Sequence, residues 1–509
     1  MEDVGRRILF AGGRVIDPET GLDAVWDVLV RAGRIEAVAA PGELPAAGAE
    51  VRDVRGLVVA PGFIDLHSHT NSLAGQWLQL CDGVTTALEL EIGAVPVSAA
   101  AARARREGRA VHFGFSASWA VARMRVLGGV HPRGGFGDFQ DHVADAEWQR
   151  PATRQEIASI IAVLDEQLHD GGIGIGVAAG YAPYFGPDEY EAVATLAQQR
   201  GVPVFTHARD LREVRPDTPI DGAEEIVRAA RRTGARMHFC HLHSSSARHI
   251  PRVLDLVGQA QADGAPVSVE AYPYGAGMTT IGAAFLDADG LARRGLQVTD
   301  LVHAASGERL LSLDRLEQLR REDPGALVLM DNLYEDRPAD FAMMLSVQRH
   351  PGAMIASDAM PLTYAQTYSR NSTASQSPAP APEGPPAWPI AGDARTHPRT
   401  AGTFTKAIRL LHRGAGEALI SVIERATLAP ARLLEGAVPG MRRKGRVQAG
   451  CDADLIAFDP ATVTDTATYR RSTSPASGMP FVVVGGELVI DGGTLNRDVR
   501  SGRQVAGSV

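Results

Sequence analysis

The sequence predicts an α/β protein: a (β/α)₈ TIM barrel with a small β-sandwich domain formed by both chain termini. Three observations carry that expectation. Apolar strand-like runs alternate with helix-like runs across residues 62–439, the pattern of a parallel sheet whose strands are each followed by a covering helix. Eight such strand-like runs occur, the number a closed barrel requires. Residues 1–61 and 440–509 instead hold short strand-like runs separated by Gly and Pro, and neither end is long enough for a large core of its own.

At the N-terminal end, residues 8–10, 14–16, 24–30 and 34–39 read as strands, with turns at Gly12-Gly13, Asp17-Pro18 and Ala32-Gly33. The barrel strands fall at residues 62–66, 85–91, 110–116, 173–177, 202–206, 237–240, 267–271 and 354–357. Helices follow at 187–200 and 221–233, stopped by Gly201 and Gly234. Residues 369–395 are rich in Ser, Pro and Ala and lack any period. They read as a flexible insertion in the barrel, either a lid over its mouth or a solvated loop. The C-terminal strands fall at 454–458, 481–484 and 487–490.

Composition sets bounds on function. Hydrophobic residues at 45% and charged residues at 22% of 509 are those of a folded globular chain. A net charge of −9 gives no basic footprint, which argues against nucleic acid or an anionic membrane as partner. No apolar run reaches spanning length and the first residues do not resemble an export signal, so a cytoplasmic location is expected. Cys81, Cys240 and Cys451 are too far apart for a CxxC site or a disulfide framework.

The chemistry begins at Pro61-Gly62-Phe63-Ile64-Asp65-Leu66-His67-Ser68-His69. Strand side chains alternate, so His67 and His69 project from the same face at the strand's end, and two imidazoles there suit zinc. Glu89 and Glu91 share a face of the next strand, where two inward carboxylates need cations. His207 and His241 follow apolar runs and precede polar loops, as ligands at a barrel mouth should. Asp358 ends the last strand, where a carboxylate suits both metal binding and proton abstraction from water.

These motifs resemble the amidohydrolase superfamily, and within it the N-acyl-D-amino-acid deacylases (D-aminoacylase and N-acyl-D-glutamate deacylase). The resemblance spans residues 13–18, the HxH strand, Asp82-Gly83-Val84-Thr85-Thr86, Thr206-His207-Ala208-Arg209, Tyr272-Pro273-Tyr274, Ser357-Asp358, His397-Pro398-Arg399 and residues 444–455. It implies metal ligands from strands one, five, six and eight: His67, His69, His207, His241 and Asp358. A carboxylated-lysine bridge is closed to this chain, whose two lysines, Lys406 and Lys444, lie beyond the eighth strand. The cysteine this branch often places after the second strand corresponds to about Ile92, which cannot ligate. Glu91, nearer the mouth than Glu89, is therefore the expected bridge between one or two Zn²⁺ ions per chain.

The resemblance also implies Tyr181 or Tyr272 as oxyanion donor, and His243, two residues after His241 and expected on the same strand face, as a substrate contact where relatives tend to carry lysine. Arg399, with Arg123 and Arg370 behind it, would grip a substrate carboxylate. The expected activity is hydrolysis of a linear amide, an N-acyl-D-amino acid of acidic, D-glutamate-like type, by metal-activated water. The alternatives are a peptide-bond or cyclic-amide hydrolase tailoring a natural product, and a catalytically inactive scaffold. The partner would be a small molecule or peptide bearing a carboxylate, with homo-oligomerisation left open.

Overall fold

A computed structural model describes residues 6–209, 221–364, 387–390 and 392–508. Eight parallel strands form the central sheet: β1 (Phe63–Asp65), β2 (Val84–Ala94), β3 (His112–Ser118), β4 (Ile175–Ala178), β5 (Val204–His207), β6 (Met237–Phe239), β7 (Val267–Ala271) and β8 (Ala353–Ile355), paired in chain order. The first and last strands meet at the rim, where the His69 N–H donates to the Ala359 carbonyl at 2.7 Å and the Ala359 N–H to that of His67 at 3.2 Å. Each of the eight runs expected from the sequence overlaps one of these strands. The helix over Pro187–Arg200 has the expected bounds, and Gly222–Thr233 is capped by the Asp221 side chain. Both end on a left-handed glycine, Gly201 and Gly234.

Strands from both chain ends share one nine-stranded sheet, joined where Leu455–Phe458 runs antiparallel to Val58–Pro61. Alternation sorts its side chains: Val58 and Ala60 enter the core shared with the barrel, while Val59 packs with Ile8, Phe10, Val28 and Leu455 on the other face. One detail differs from the sequence reading. Gly12-Gly13 is not a turn between two strands but a β-bulge within the single strand Arg7–Asp17, with Gly12 at φ +73°.

A second difference bears on the mouth of the barrel. Between β7 and β8 the chain builds a three-stranded antiparallel sheet from Ala276–Thr280, Leu301–His303 and Leu327–Asp331. This excursion supplies cover over the barrel mouth, where Met278, Thr279, Phe285, Arg294 and Met330 line the cavity. Within that insertion, residues 387–390 and 392–395 are described and the remainder lies outside the described residues.

Candidate metal centre

The barrel mouth gathers four histidines and two carboxylates, all buried. His67 and His69 follow β1, His207 ends β5, and His241 lies two residues beyond β6. Glu91 sits in β2 where the register with β3 shifts between Glu89 and Ala94, so residues 90–93 bulge out of the ladder. Gly180 is needed here, because a Cβ on it would lie 2.7 Å from the His207 ring. Asp358 and His241 adopt φ +49° and +31°, uncommon for non-glycine residues and an indication that the surrounding structure fixes them.

Glu91 divides its two oxygens between two histidine pairs. Its Oε1 lies 2.7 Å from His241 Nε2 and 3.1 Å from His207 Nδ1. Its Oε2 lies 3.3 Å from His67 Nε2 and 3.5 Å from His69 Nε2. Asp358 Oδ1 completes the second group, 3.5 Å from His67 Nε2 and 3.4 Å from His69 Nε2, with the two imidazole nitrogens 3.1 Å apart. Four donors around a tetrahedral zinc at bond lengths of about 2.0–2.1 Å sit roughly 3.3–3.4 Å from one another. The spacings in this group match that edge length.

Three of the four imidazoles are oriented from behind. Glu270 on β7 receives the His67 Nδ1–H at 2.5 Å and contacts His238 Nε2 at 3.0 Å. Glu89 receives the His69 Nδ1–H at 2.9 Å, and Ser245 Oγ lies 3.0 Å from His241 Nδ1. A partner on Nδ1 leaves the Nε2 lone pair aimed at the centre, the arrangement that fixes a metal-binding tautomer. Asp65 ties the rim together by accepting from the Ser357 backbone at 2.9 Å, the His67 backbone at 3.2 Å and Gln79 at 3.1 Å.

Charge points the same way. Glu89, Glu91, Glu270 and Asp358 touch these histidines, and the Arg399 guanidinium that meets Asp358 Oδ2 at 2.7 Å balances one of them. Four carboxylates against that one guanidinium leave three negative charges for protonated imidazoles or bound cations to balance. Burial works against charging His67, yet Glu91, Asp358 and Glu270 outweigh it and lift its pKa well above the usual histidine range. His69 behaves alike: burial opposes its charge, and Glu89, Asp358 and Glu91 outweigh it. A dication would meet the same electrostatic demand.

The cavity above the centre is lined by His69, Glu91, His207, His241 and Asp358, by Tyr181 and Tyr272, and by Phe136, Phe285 and Arg294 among others. Burial pushes the Tyr272 hydroxyl up to about 12 and that of Tyr181 up as well, so both are neutral donors. Tyr181 shares a 2.7 Å hydrogen bond with Thr279 of the excursion.

Three substrate assignments made from the sequence are placed elsewhere. Arg123 does not face the cavity: it is fully buried, donating to Glu189 at 2.6 Å and to the Trp148 carbonyl at 2.8 Å, and it is a structural ion pair. His243 does not share a strand face with His241, because the left-handed turn at His241 starts the short helix Leu242–Ser246. Its ring contacts the Tyr274 carbonyl at 3.2 Å and lies edge-on to Tyr272, with burial pushing its pKa down to about 3. Arg399 lies behind Asp358, bonded to that residue's carboxylate and carbonyl and packed over the Tyr272 ring at 4.5 Å, with Nη1 unpartnered. Arg370 lies outside the described residues.

Other residues were not singled out by sequence reasoning. Arg294, in a helix of the excursion, is a guanidinium that lines the cavity. Glu270 had a signal, as a charged residue inside an apolar strand. Cys240 Sγ lies within 4.8 Å of donor atoms on His67 and Glu91.

Comparison with known proteins agrees with this geometry. Residues 58–271, from the edge of the terminal sheet through β7, match the amidohydrolase family. The chain carries an amidohydrolase domain. The chain is 29% identical over 514 residues to the N-acyl-D-aspartate deacylase of Alcaligenes xylosoxydans xylosoxydans, covering 95% of this chain and 92% of that protein. It is 26% identical over 516 residues to an N-acyl-D-glutamate deacylase of the same organism, covering 94% and 92%. Its fold superposes on the crystal structure of N-acyl-D-glutamate deacylase from Bordetella bronchiseptica, complexed with zinc and a phosphonate mimic of the tetrahedral intermediate. The TM-score there is 0.72 at 22% identity, covering 99% of this chain and 100% of that one. The resemblance and the barrel read from the sequence are thus both borne out.

Proposed function

We propose that this amidohydrolase is a zinc-dependent N-acyl-D-amino-acid deacylase, hydrolysing the amide to a carboxylic acid and a free D-amino acid with an acidic side chain. The observation that carries the reading is the division of the two Glu91 oxygens between two histidine pairs, with Asp358 Oδ1 beside one of them. His67, His69, Asp358 and Glu91 would hold one zinc, and Glu91, His207 and His241 a second. Zinc bound there supplies Lewis acidity to the amide carbonyl and makes water acidic enough to attack near neutral pH.

The protein's own groups do the rest. Asp358 Oδ1 accepts the attacking water's proton and returns it to the departing amine, while Arg399 holds Oδ2. Tyr181 and Tyr272 line the cavity as neutral hydroxyls suited to the developing oxyanion. Arg294, placed over the Phe285 ring at 4.3 Å, faces the same cavity and is suited to the substrate carboxylate. The acidic D-amino acid rests on the similarity to deacylases of N-acyl-D-aspartate and N-acyl-D-glutamate.

A panel of N-acetyl-D- and L-amino acids, assayed for free amine with zinc-loaded protein, tests this. The expected result is turnover of the D-aspartate and D-glutamate derivatives above their L-forms. Turnover of a cyclic amide or a dipeptide with none of the N-acetyl-D-amino acids would favour the tailoring enzyme. No turnover of any amide by fully metallated protein would favour a scaffold.

A further inference from the structure

Cys240 occupies a position that the six ligands above do not account for. It immediately precedes His241 and is buried, with its side chain 1% exposed. Its neighbour two residues back, His238, reaches inside the barrel to Glu270 at 3.0 Å. Side chains two apart share a strand face, so Cys240 also points inward. The left-handed backbone at His241, φ +31°, breaks the alternation immediately afterwards. Two consecutive residues thereby deliver donors to one centre: the thiol of Cys240 and the Nε2 of His241. The Cys240 sulfur lies with donor atoms of His67 and Glu91 in one cluster no more than 4.8 Å across.

The geometry points to Cys240 as a further protein ligand of the metal centre, binding as a thiolate on the side formed by His67 and Glu91. This rests on the metal-dependent reading above and goes beyond its ligand set. On binding, the S–H bond gives way to a sulfur–metal bond, and the proton leaves through the cavity to solvent. The thiolate adds a negative charge directly to the metal, and a soft donor beside imidazoles biases the centre toward zinc over magnesium or calcium. Among the described cysteines, Cys81 and Cys451 pack in other hydrophobic clusters, so a sulfur signal from the metal identifies Cys240.

X-ray absorption on zinc-loaded protein reads this directly, because a Zn–S distance of about 2.3 Å separates from Zn–N and Zn–O distances of about 2.0–2.2 Å. The wild-type protein is expected to show a sulfur shell that disappears in Cys240→Ser. Cobalt-substituted wild type should show a thiolate-to-cobalt charge-transfer band that the same variant lacks. Wild-type protein carrying its full zinc complement with nitrogen and oxygen scatterers alone, and still hydrolysing amide, would overturn the Cys240 assignment while leaving the deacylase reading intact. Wild-type protein that binds no zinc would overturn both. The wild-type spectrum decides the matter even where Cys240→Ser fails to fold.

Discussion

Asp358→Asn is the most informative substitution, because the structure separates its chemical effect from its structural one. Asparagine tolerates positive φ better than most residues, so the backbone at φ +49° is kept. The amide cannot accept a proton from water at Oδ1, and loss of a general base costs about 10²–10⁴-fold in turnover. At about 1.4 kcal/mol per tenfold, that is roughly 3–5 kcal/mol of transition-state stabilisation. The second effect falls on Arg399, whose Nη2 meets the carboxylate at 2.7 Å. Breaking a buried pair costs about 3–5 kcal/mol in general. The cost here should lie at or below the lower end, since Arg399 keeps its bonds to the Asp358 and Met278 carbonyls and asparagine still offers an acceptor. Steady-state kinetics at saturating N-acetyl-D-glutamate, with zinc content and thermal melting on the same samples, separates the two. The expected variant is folded, with a lowered melting temperature and kcat down at least a hundredfold. A folded, zinc-loaded variant within fivefold of the parent kcat would refute Asp358 as the base.

Further outcomes follow from the same geometry. Glu91→Ala should lower zinc per chain measurably, whereas Glu89→Ala, which removes the support on His69 Nδ1, should weaken affinity by about 10–100-fold and retain zinc when the metal is in excess; elemental analysis of both distinguishes them, and the reverse order would transfer the bridge to Glu89. Arg294→Met should raise KM for acidic substrates, while Arg123→Met should lower the melting temperature and leave KM unchanged, because Arg123 pairs with Glu189 in the interior. Asp454 is buried; burial opposes its ionisation, but His112 and Lys444 outweigh that and hold its pKa far below the ordinary range. With a depressed folded-state pKa, its stabilisation is complete above about pH 4 and is lost as pH falls below that value; denaturant melts of Asp454→Asn should accordingly show a flatter acid limb than the parent.

The barrel was legible because its signals are periodic. All eight strands and the glycine-stopped helices follow from alternation and capping, and the HxH motif follows from the pleat. The place of Glu91 among the histidines was legible by a different route, since a carboxylate in an apolar run needs a cation. What escaped depends on where the backbone breaks its period. His243 was misread because the left-handed turn at His241 is a tertiary effect, and the same turn lets Cys240 and His241 both face inward. Arg123 and Arg399 carry the residue type that binds carboxylates, but their partners, Glu189 and Asp358, are 66 and 41 residues away. The excursion between β7 and β8 looks like ordinary connecting chain, and Arg294 becomes a cavity residue through the antiparallel sheet that carries it over the mouth.

On the proposed reading, the histidine and carboxylate cluster holds the metal that makes the chain an amide hydrolase. Its most direct test is a titration of metal-stripped protein with zinc, following free D-amino acid from N-acetyl-D-glutamate and N-acetyl-D-aspartate. Activity should rise from background as zinc is added and reach its maximum by two equivalents per chain, with His67→Ala and His69→Ala remaining at background. Full turnover by stripped protein in the presence of chelator would contradict the account.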